Sequence, residues 1–300
     1  MKSTVVDWAL LVVPGVIWGA SFLFIAEGLA AAAPNGVTFT RILIGFLTLS
    51  LFPSARRPVA RTDWAGTASL GVLWFAFPLS MFPFAEQHVS SALTGMLNGA
   101  TPLCVAAVAT LIARRLPERG TLAGIVVGFG GAVVMALPAM GGSSSAFGVM
   151  LILAALISYG IALNIARPLQ QRNGAIPVIW RALGVALILT APLGLPEMLK
   201  GEWTLRPALA MLGLGAGGTA IATILTATAA GRMGATKASA TAFLIPVVAL
   251  ILGVVIRHEH VTTISLVGAA ICLFGAAVIR DPQLLRAVLP RRPVRVGARV

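Results

Sequence analysis

The sequence predicts an all-α, polytopic membrane protein of ten crossing helices, and three observations carry that prediction. Of 300 residues, 58% are hydrophobic and 10% charged, whereas a soluble domain carries about 25% charged residues. Ten apolar runs approach the length of about 20 residues that an α-helix needs to cross hydrocarbon. The charged residues between those runs change sides with each crossing.

The first run, 8–31, follows Lys2 and ends in Ala30-Ala31-Ala32-Ala33. It exceeds the apolar core of about 7–15 residues in a secretory signal, so it is expected to stay as the first helix. The second run, 35–52, starts at the breaker Pro34-Asn35-Gly36 and stops at Pro53. The third, 64–84, contains Pro78, which is expected to bend it. The fourth and fifth, 89–113 and 120–138, flank Pro117. The Gly141-Gly142-Ser143-Ser144-Ser145 stretch then leads into 147–167, closed by Pro168, and into 175–195, closed by Pro196. The last three runs are 207–231, 234–256 and 261–279. Short connections make neighbours antiparallel.

With the N-terminus inside, 17 basic residues fall on the inner side: Lys2, Arg56, Arg57, Arg61, Arg114, Arg115, Arg119, Arg167, Arg172, Arg232, Lys237 and six arginines from Arg280 onward. Only Lys200, Arg206 and Arg257 fall outside. Short cytoplasmic loops are enriched in Lys and Arg, so both termini are expected in the cytoplasm. The net charge of +13 therefore marks orientation and headgroup contact, in the tail at Arg291, Arg292, Arg295 and Arg299 above all, and not a nucleic-acid partner.

The chain also repeats itself. Pro102 and Pro246, Gly124 and Gly268, Gly131 and Gly275, and Ala132 and Ala276 each lie 144 positions apart. Ile17-Trp18-Gly19 parallels Ser158-Tyr159-Gly160, and Arg41 parallels Arg181. Five helices per half is an odd number, so the second half enters from the opposite side. Two inverted five-helix repeats, 1–140 and 146–280, are expected around a central cavity, with a basic tail over 281–300. Inverted repeats are the mark of secondary transporters, whose substrate sites lie where the halves meet.

Specific residues add a resemblance. Ile17-Trp18-Gly19-Ala20-Ser21-Phe22, Thr101-Pro102-Leu103, Ala242-Phe243-Leu244-Ile245-Pro246-Val247 and the Gly-rich ends of the fifth and tenth helices resemble the drug/metabolite transporter superfamily. Within it they resemble the EamA-type exporters, most nearly the YddG-type exporters of aromatic and other amino acids. The likeness spans about 1–280. It departs from the family where a Gly-Glu pair often follows the fourth and ninth helices: here stand Arg114-Arg115-Leu116-Pro117-Glu118 and Arg257-His258-Glu259-His260. The resemblance implies export of small amphipathic metabolites, aromatic and hydrophobic amino acids first, across the bacterial inner membrane by alternating access. It implies no cofactor. A drug or nucleotide-sugar carrier, or a passive channel of the same fold, is the alternative, and a single-chain unit is favoured.

Candidate substrate contacts are polar or aromatic groups inside the bundle. Ser91, Thr94, Asn98 and Thr101 share a face of the fourth helix, and Thr219, Thr223 and Thr226 one of the eighth. The competing interpretation is helix packing, with hydroxyls bonded to their own backbone. Trp18, Ser21 and Phe22 share a face of the first helix; Trp74, Phe77 and Met81 share one of the third. Tyr159, the sole tyrosine, and Phe243 complete the aromatic set, against which ordinary core packing competes. Glu27 and Arg41 lie about six residues either side of the first outer turn, at matching depth, and are expected to pair as a gate or carboxylate site. Arg181 mirrors Arg41 from the inner side. For both arginines the alternative is reaching to the headgroups.

Other patterns carry little chemistry. His258-Glu259-His260 lacks a third ligand on one helical face, so no metal is expected. Gly213-x-Gly215-x-Gly217-Gly218 follows no strand, which argues for packing over a nucleotide loop. No HExxH or G-x-S-x-G motif marks a membrane enzyme. Cys104 and Cys272 read as small buried hydrophobes.

Overall fold

The computed structural model describes residues 5–234, 238–281 and 284, and every regular element among them is helical. Lys237 and the tail arginines beyond Arg280 lie outside the described residues. Ten crossing elements follow in order: α1 (Val5–Gly28), α2 (Pro34–Ser50), α3 (Arg61–Glu86), α4 (Ser91–Ala113), α5 (Arg119–Ala136), α6 (Ser143–Asn173), α7 (Ala175–Leu199), α8 (Leu205–Met233), α9 (Ser239–Arg257) and α10 (Thr263–Arg280). Among the described residues nine are long and apolar enough to cross a membrane; α2, with 17 residues, stands at the lower end of the spanning range of about 17–25. Large apolar side chains such as Leu47, Val126, Ile188 and Ile251 point outward around the bundle, as a lipid-facing belt requires.

Two expected helix ends are corrected. Pro168 and Pro196 lie inside α6 and α7 instead of closing them. A proline removes one ladder hydrogen bond, and in a packed bundle neighbouring helices and local adjustments absorb that loss. The actual stop for α6 is Gly174, whose φ of +84° is available to glycine.

Four crossings depart from regular α-helix. α3 contains a π-helical turn at Gly71–Ala76, next to Pro78, and α8 one at Gly213–Ile221. α4 breaks between Asn98 and Thr101, and α9 opens with a 3-10 turn at Ser239–Phe243. The bend expected at Pro78 thus takes the form of a re-registered ladder just before it.

Packing follows a two-fold pattern. α2 packs on α7 and α5 on α10, while α1 packs on α8 and α9 as α6 packs on α3 and α4. Two lobes result, α1-α8-α9 and α6-α3-α4, each mixing the two halves of the chain. Equivalent contacts recur at the repeat spacing. A side chain at Gly19 would strike Val248, and one at Gly160 would strike Cys104, 144 positions before Val248. Both α4 and α9 end on a left-handed residue, Arg114 at φ +50° and His258 at φ +55°, again 144 apart.

The α5-α10 seam is the closest approach. A Cβ on Gly131 would meet the backbone of Cys272, and one on Gly268 the backbone of Met135, so the two helices sit almost backbone to backbone. Gly268→Val is expected to destabilise the protein by about 1–3 kcal/mol through overpacking. Gly130→Ala, where a Cβ meets nothing within 4 Å, is expected to leave the melting temperature unchanged or slightly higher. Thermal unfolding of the two purified variants in one detergent checks the contrast.

Candidate functional site

A cavity of about 740 Å³ lies between the two lobes. It runs from the middle of the bundle to exposed Arg167 and Arg280, at the end where the basic loops gather. All four helix irregularities feed it. The α3 π turn supplies Trp74 and Phe75; the α8 π turn supplies Gly218 and Thr219; the α4 break supplies Asn98 and Thr101; the 3-10 turn of α9 supplies Ser239, Thr241, Ala242 and Phe243.

Carbonyls within these irregular stretches accept from side-chain donors. Ser158 Oγ donates to the Leu73 carbonyl at 2.7 Å, and Trp18 Nε1 donates to the Gly218 carbonyl at 2.8 Å. Thr101 Oγ1 donates to the Asn98 carbonyl at 2.7 Å. Trp18 is thereby fixed in orientation, its ring forming cavity wall. Asn164, which sequence reasoning passed over, donates to the Val105 carbonyl at 3.0 Å and also lines the cavity.

Of the expected contact residues, Trp18, Ser21, Phe22, Trp74, Asn98, Tyr159, Thr219, Thr223 and Phe243 line the cavity. Three do not. Thr94 is fully buried and bonds back to the Ser90 carbonyl, one helical turn before Asn98. Phe77 is 40% exposed on the outer surface, and Met81 packs into the apolar core. The π turn inserts an extra residue into the helical register, so the cavity face of α3 runs through Phe75, Leu79 and Phe82. The threonines serve both readings at once: Thr223 and Thr226 line the cavity and bond their own backbone four residues back.

The expected Glu27–Arg41 pair does not form. Glu27 accepts from Arg206 at 2.7 and 2.8 Å and from Arg257 at 3.1 Å. Those partners lie 179 and 230 residues away. Arg257 also reaches Glu259 at 3.4 Å, and Glu259 accepts from the backbone N–H groups of Ser91 and Ala92 at 3.1 and 2.8 Å. This caps the N-terminus of α4, where a carboxylate is favoured. The chain Arg206–Glu27–Arg257–Glu259–Ser91 joins α8, α1 and α9 to α4, and so bridges the two lobes at the end opposite the cavity mouth. At the basic end, Asp7–Arg232 joins α1 to α8 and Asp63–Arg172 joins α3 to α6, each within one lobe.

Arg41 instead turns into the cavity. It is 8% exposed, and its Nε donates to Thr219 Oγ1 at 3.1 Å. No carboxylate lies within 4.0 Å of it among the described residues. Arg181 stands apart from the cavity: it donates to the Ala55 and Pro177 carbonyls and lies over the rings of Trp64 and Trp180.

Sequence reasoning missed Glu86. Its carboxylate oxygens are buried and receive no hydrogen bond from the described residues. It sits one helical turn beyond Phe82, whose ring contacts Phe22 at 5.6 Å and Tyr159 at 5.9 Å between centroids. These three rings separate Glu86 from the cavity. The signal that points to Glu86 is the spacing 75-79-82-86, visible only once the π turn sets the register. Glu27→Gln, which strips two arginines of a shared anion, is expected to destabilise by about 1–2 kcal/mol after allowance for the exposure of both arginines. Glu86→Gln puts a side chain of nearly the same shape at a buried site whose oxygens accept no hydrogen bond from the described residues, and it is expected to unfold no lower than the parent. Melting temperatures measured side by side decide; a larger drop for Glu86→Gln contradicts this account of the closed end.

Comparison with known proteins agrees with this architecture. The profile of the EamA-like transporter family matches residues 8–137 and, a second time, residues 146–280. A protein of Streptantibioticus cattleyicolor (strain ATCC 35852 / DSM 46488 / JCM 4925 / NBRC 14057 / NRRL 8057), named "Probable terminal-alkyne amino-acid exporter", is 26% identical over 291 residues, 95% of this chain and 97% of its own. "Uncharacterized transporter YdfC" of Bacillus subtilis (strain 168) is 26% identical over 86% of each chain. One protein crystal structure matches with a TM-score of 0.60 over 95% of this chain and 98% of its own, at 18% identity, a likeness of fold alone. Two successive profile matches, end to end along a ten-helix bundle, place this chain in the EamA-like transporter family.

Proposed function

We propose that this transporter is a secondary carrier that exports small amphipathic metabolites, hydrophobic and aromatic amino acids foremost, by alternating access between its two lobes. The observation that carries the proposal is a cavity closed at one end only, walled by Trp18, Trp74, Tyr159 and Phe243 and holding the buried cation Arg41. A volume of 740 Å³ falls within the range of about 300–1,000 Å³ typical of small-molecule sites. Flat aromatic walls suit an apolar side chain, and a guanidinium suits a carboxylate. The similarity to a protein named as an amino-acid exporter points the same way.

The charge distribution orients the carrier. The basic end faces the cytoplasm of a bacterial inner membrane, with both termini inside and the two repeats, 1–140 and 146–280, inserted in opposite senses. The cavity then opens to the cytoplasm, the loading side for an exporter, while the Glu27–Glu259 ion chain shuts the outer end. A passive channel of this fold would need a path through that closure, so the carrier is preferred. One chain forms the whole cavity, in keeping with a monomeric unit.

Purified protein in liposomes preloaded with unlabelled phenylalanine, tryptophan or leucine is expected to show saturable counterflow of the labelled solute. Trp18→Ala and Tyr159→Ala are each expected to lower the exchange about tenfold without lowering folded yield, as lost ring contacts imply. Absence of counterflow across the twenty amino acids would discard amino acids as substrates. Parental rates in both variants would remove the aromatic wall from the site.

A further inference from the structure

The cavity's charge inventory is one-sided. Its described lining contains Arg41, Arg167 and Arg280 and no aspartate or glutamate. Arg167 and Arg280 are exposed at the mouth, but Arg41 is buried deep in the cavity. A guanidinium has five N–H donors, and that of Arg41 spends one, from Nε, on Thr219. Its Nη groups donate to no described residue. A guanidinium whose forked donors open onto a cavity is matched by the paired oxygens of a carboxylate.

The buried acid on a helix packed against that of Arg41 is Glu86 of α3. The two do not pair, and the Glu86 oxygens are buried beyond Phe82, outside the cavity. An ammonium group inside the cavity therefore meets no carboxylate of the described lining. A carboxylate there meets a buried, undersatisfied guanidinium flanked by aromatic rings. Trp18 Nε1 and Ser21 Oγ are both committed to backbone carbonyls, so neither competes for that anion.

We propose that the cavity recognises its substrate through the carboxylate alone, with Arg41 as the anion site, and that it takes apolar carboxylic acids whether or not they carry an α-amino group. Arylalkanoates and N-acylated amino acids belong to that class; apolar amines do not. The inference rests on the carrier assignment and narrows it: the amino group of an amino acid is carried, not read.

Three probes of one shape separate the poles: L-phenylalanine, 3-phenylpropionate and 2-phenylethylamine. Isothermal titration into the full-length protein in lipid nanodiscs is expected to give 3-phenylpropionate an affinity within about threefold of phenylalanine, and 2-phenylethylamine one weaker by roughly 10- to 100-fold, the difference between a charge-assisted hydrogen-bonded contact and none. Arg41→Gln is expected to bring both carboxylates down to the level of the amine. Arg41→Lys restores the positive charge and is expected to recover the preference for both carboxylates over the amine, and the unfolding midpoint of Arg41→Gln, measured alongside the parent, guards against simple misfolding. An amine that binds as tightly as the acids, or carboxylate binding unchanged in Arg41→Gln, overturns the proposal. So does binding of none of the three. Counterflow with non-aromatic amino acids decides the carrier assignment separately, because it needs none of these probes.

Discussion

A peptide group inside hydrocarbon has only the protein to bond to, and that constraint shapes everything else in this molecule. It makes each crossing a helix, and it makes any departure from a helix a local problem needing a local partner. The departures in this chain are few and they converge. The π turns of α3 and α8, the break in α4 and the 3-10 opening of α9 all border one cavity. Carbonyls in three of them accept from Ser158, Trp18 and Thr101. Irregular backbone at membrane depth is tolerated where it is buried in protein or lines a cavity, and here the same residues satisfy the backbone and form the wall.

The two ends of the bundle differ in how they are held. At the basic end, the described ion pairs stay inside a lobe, Asp7 with Arg232 and Asp63 with Arg172, and neither spans the two lobes. At the far end a chain of charges runs from Arg206 through Glu27, Arg257 and Glu259 into the N-terminus of α4, and it crosses between lobes. Its last link is a helix cap made in trans: one carboxylate accepting two backbone N–H groups and the Ser91 hydroxyl. A carboxylate there is favoured both by the unpaired N–H groups of the helix start and by the helix dipole. Behind it, the rings of Phe22, Phe82 and Tyr159 form a second layer.

The crossings were legible because each is a local property: an apolar run of sufficient length needs no knowledge of its neighbours. The repeat was legible for a similar reason, since spacings such as Pro102–Pro246 survive in one dimension. The cavity residues were legible in part. Trp18, Asn98, Tyr159 and Thr219 combine polarity or a ring with mid-helix position, a rare pairing in a lipid-bound chain. Phe77 and Met81 failed because a uniform 3.6-residue period does not anticipate the π turn, which moves the face of α3 to Phe75, Leu79 and Phe82. The partners of Glu27 failed because sequence proximity favoured Arg41, while Arg206 and Arg257 reach it only after α8 and α9 have packed on α1. Even so, separating Arg41 from Glu27 left it free to face the cavity, and the sequence had already marked it as a candidate carboxylate site.

The most direct test of this account is a structure of the protein determined with a transported solute. The account predicts the solute between the lobes, its carboxylate within hydrogen-bond distance of Arg41 and its apolar part against Trp18 and Tyr159, with the Glu259 cap on α4 intact while the cavity faces the basic end. A solute bound elsewhere, or bound in the cavity with Arg41 turned away, would contradict it.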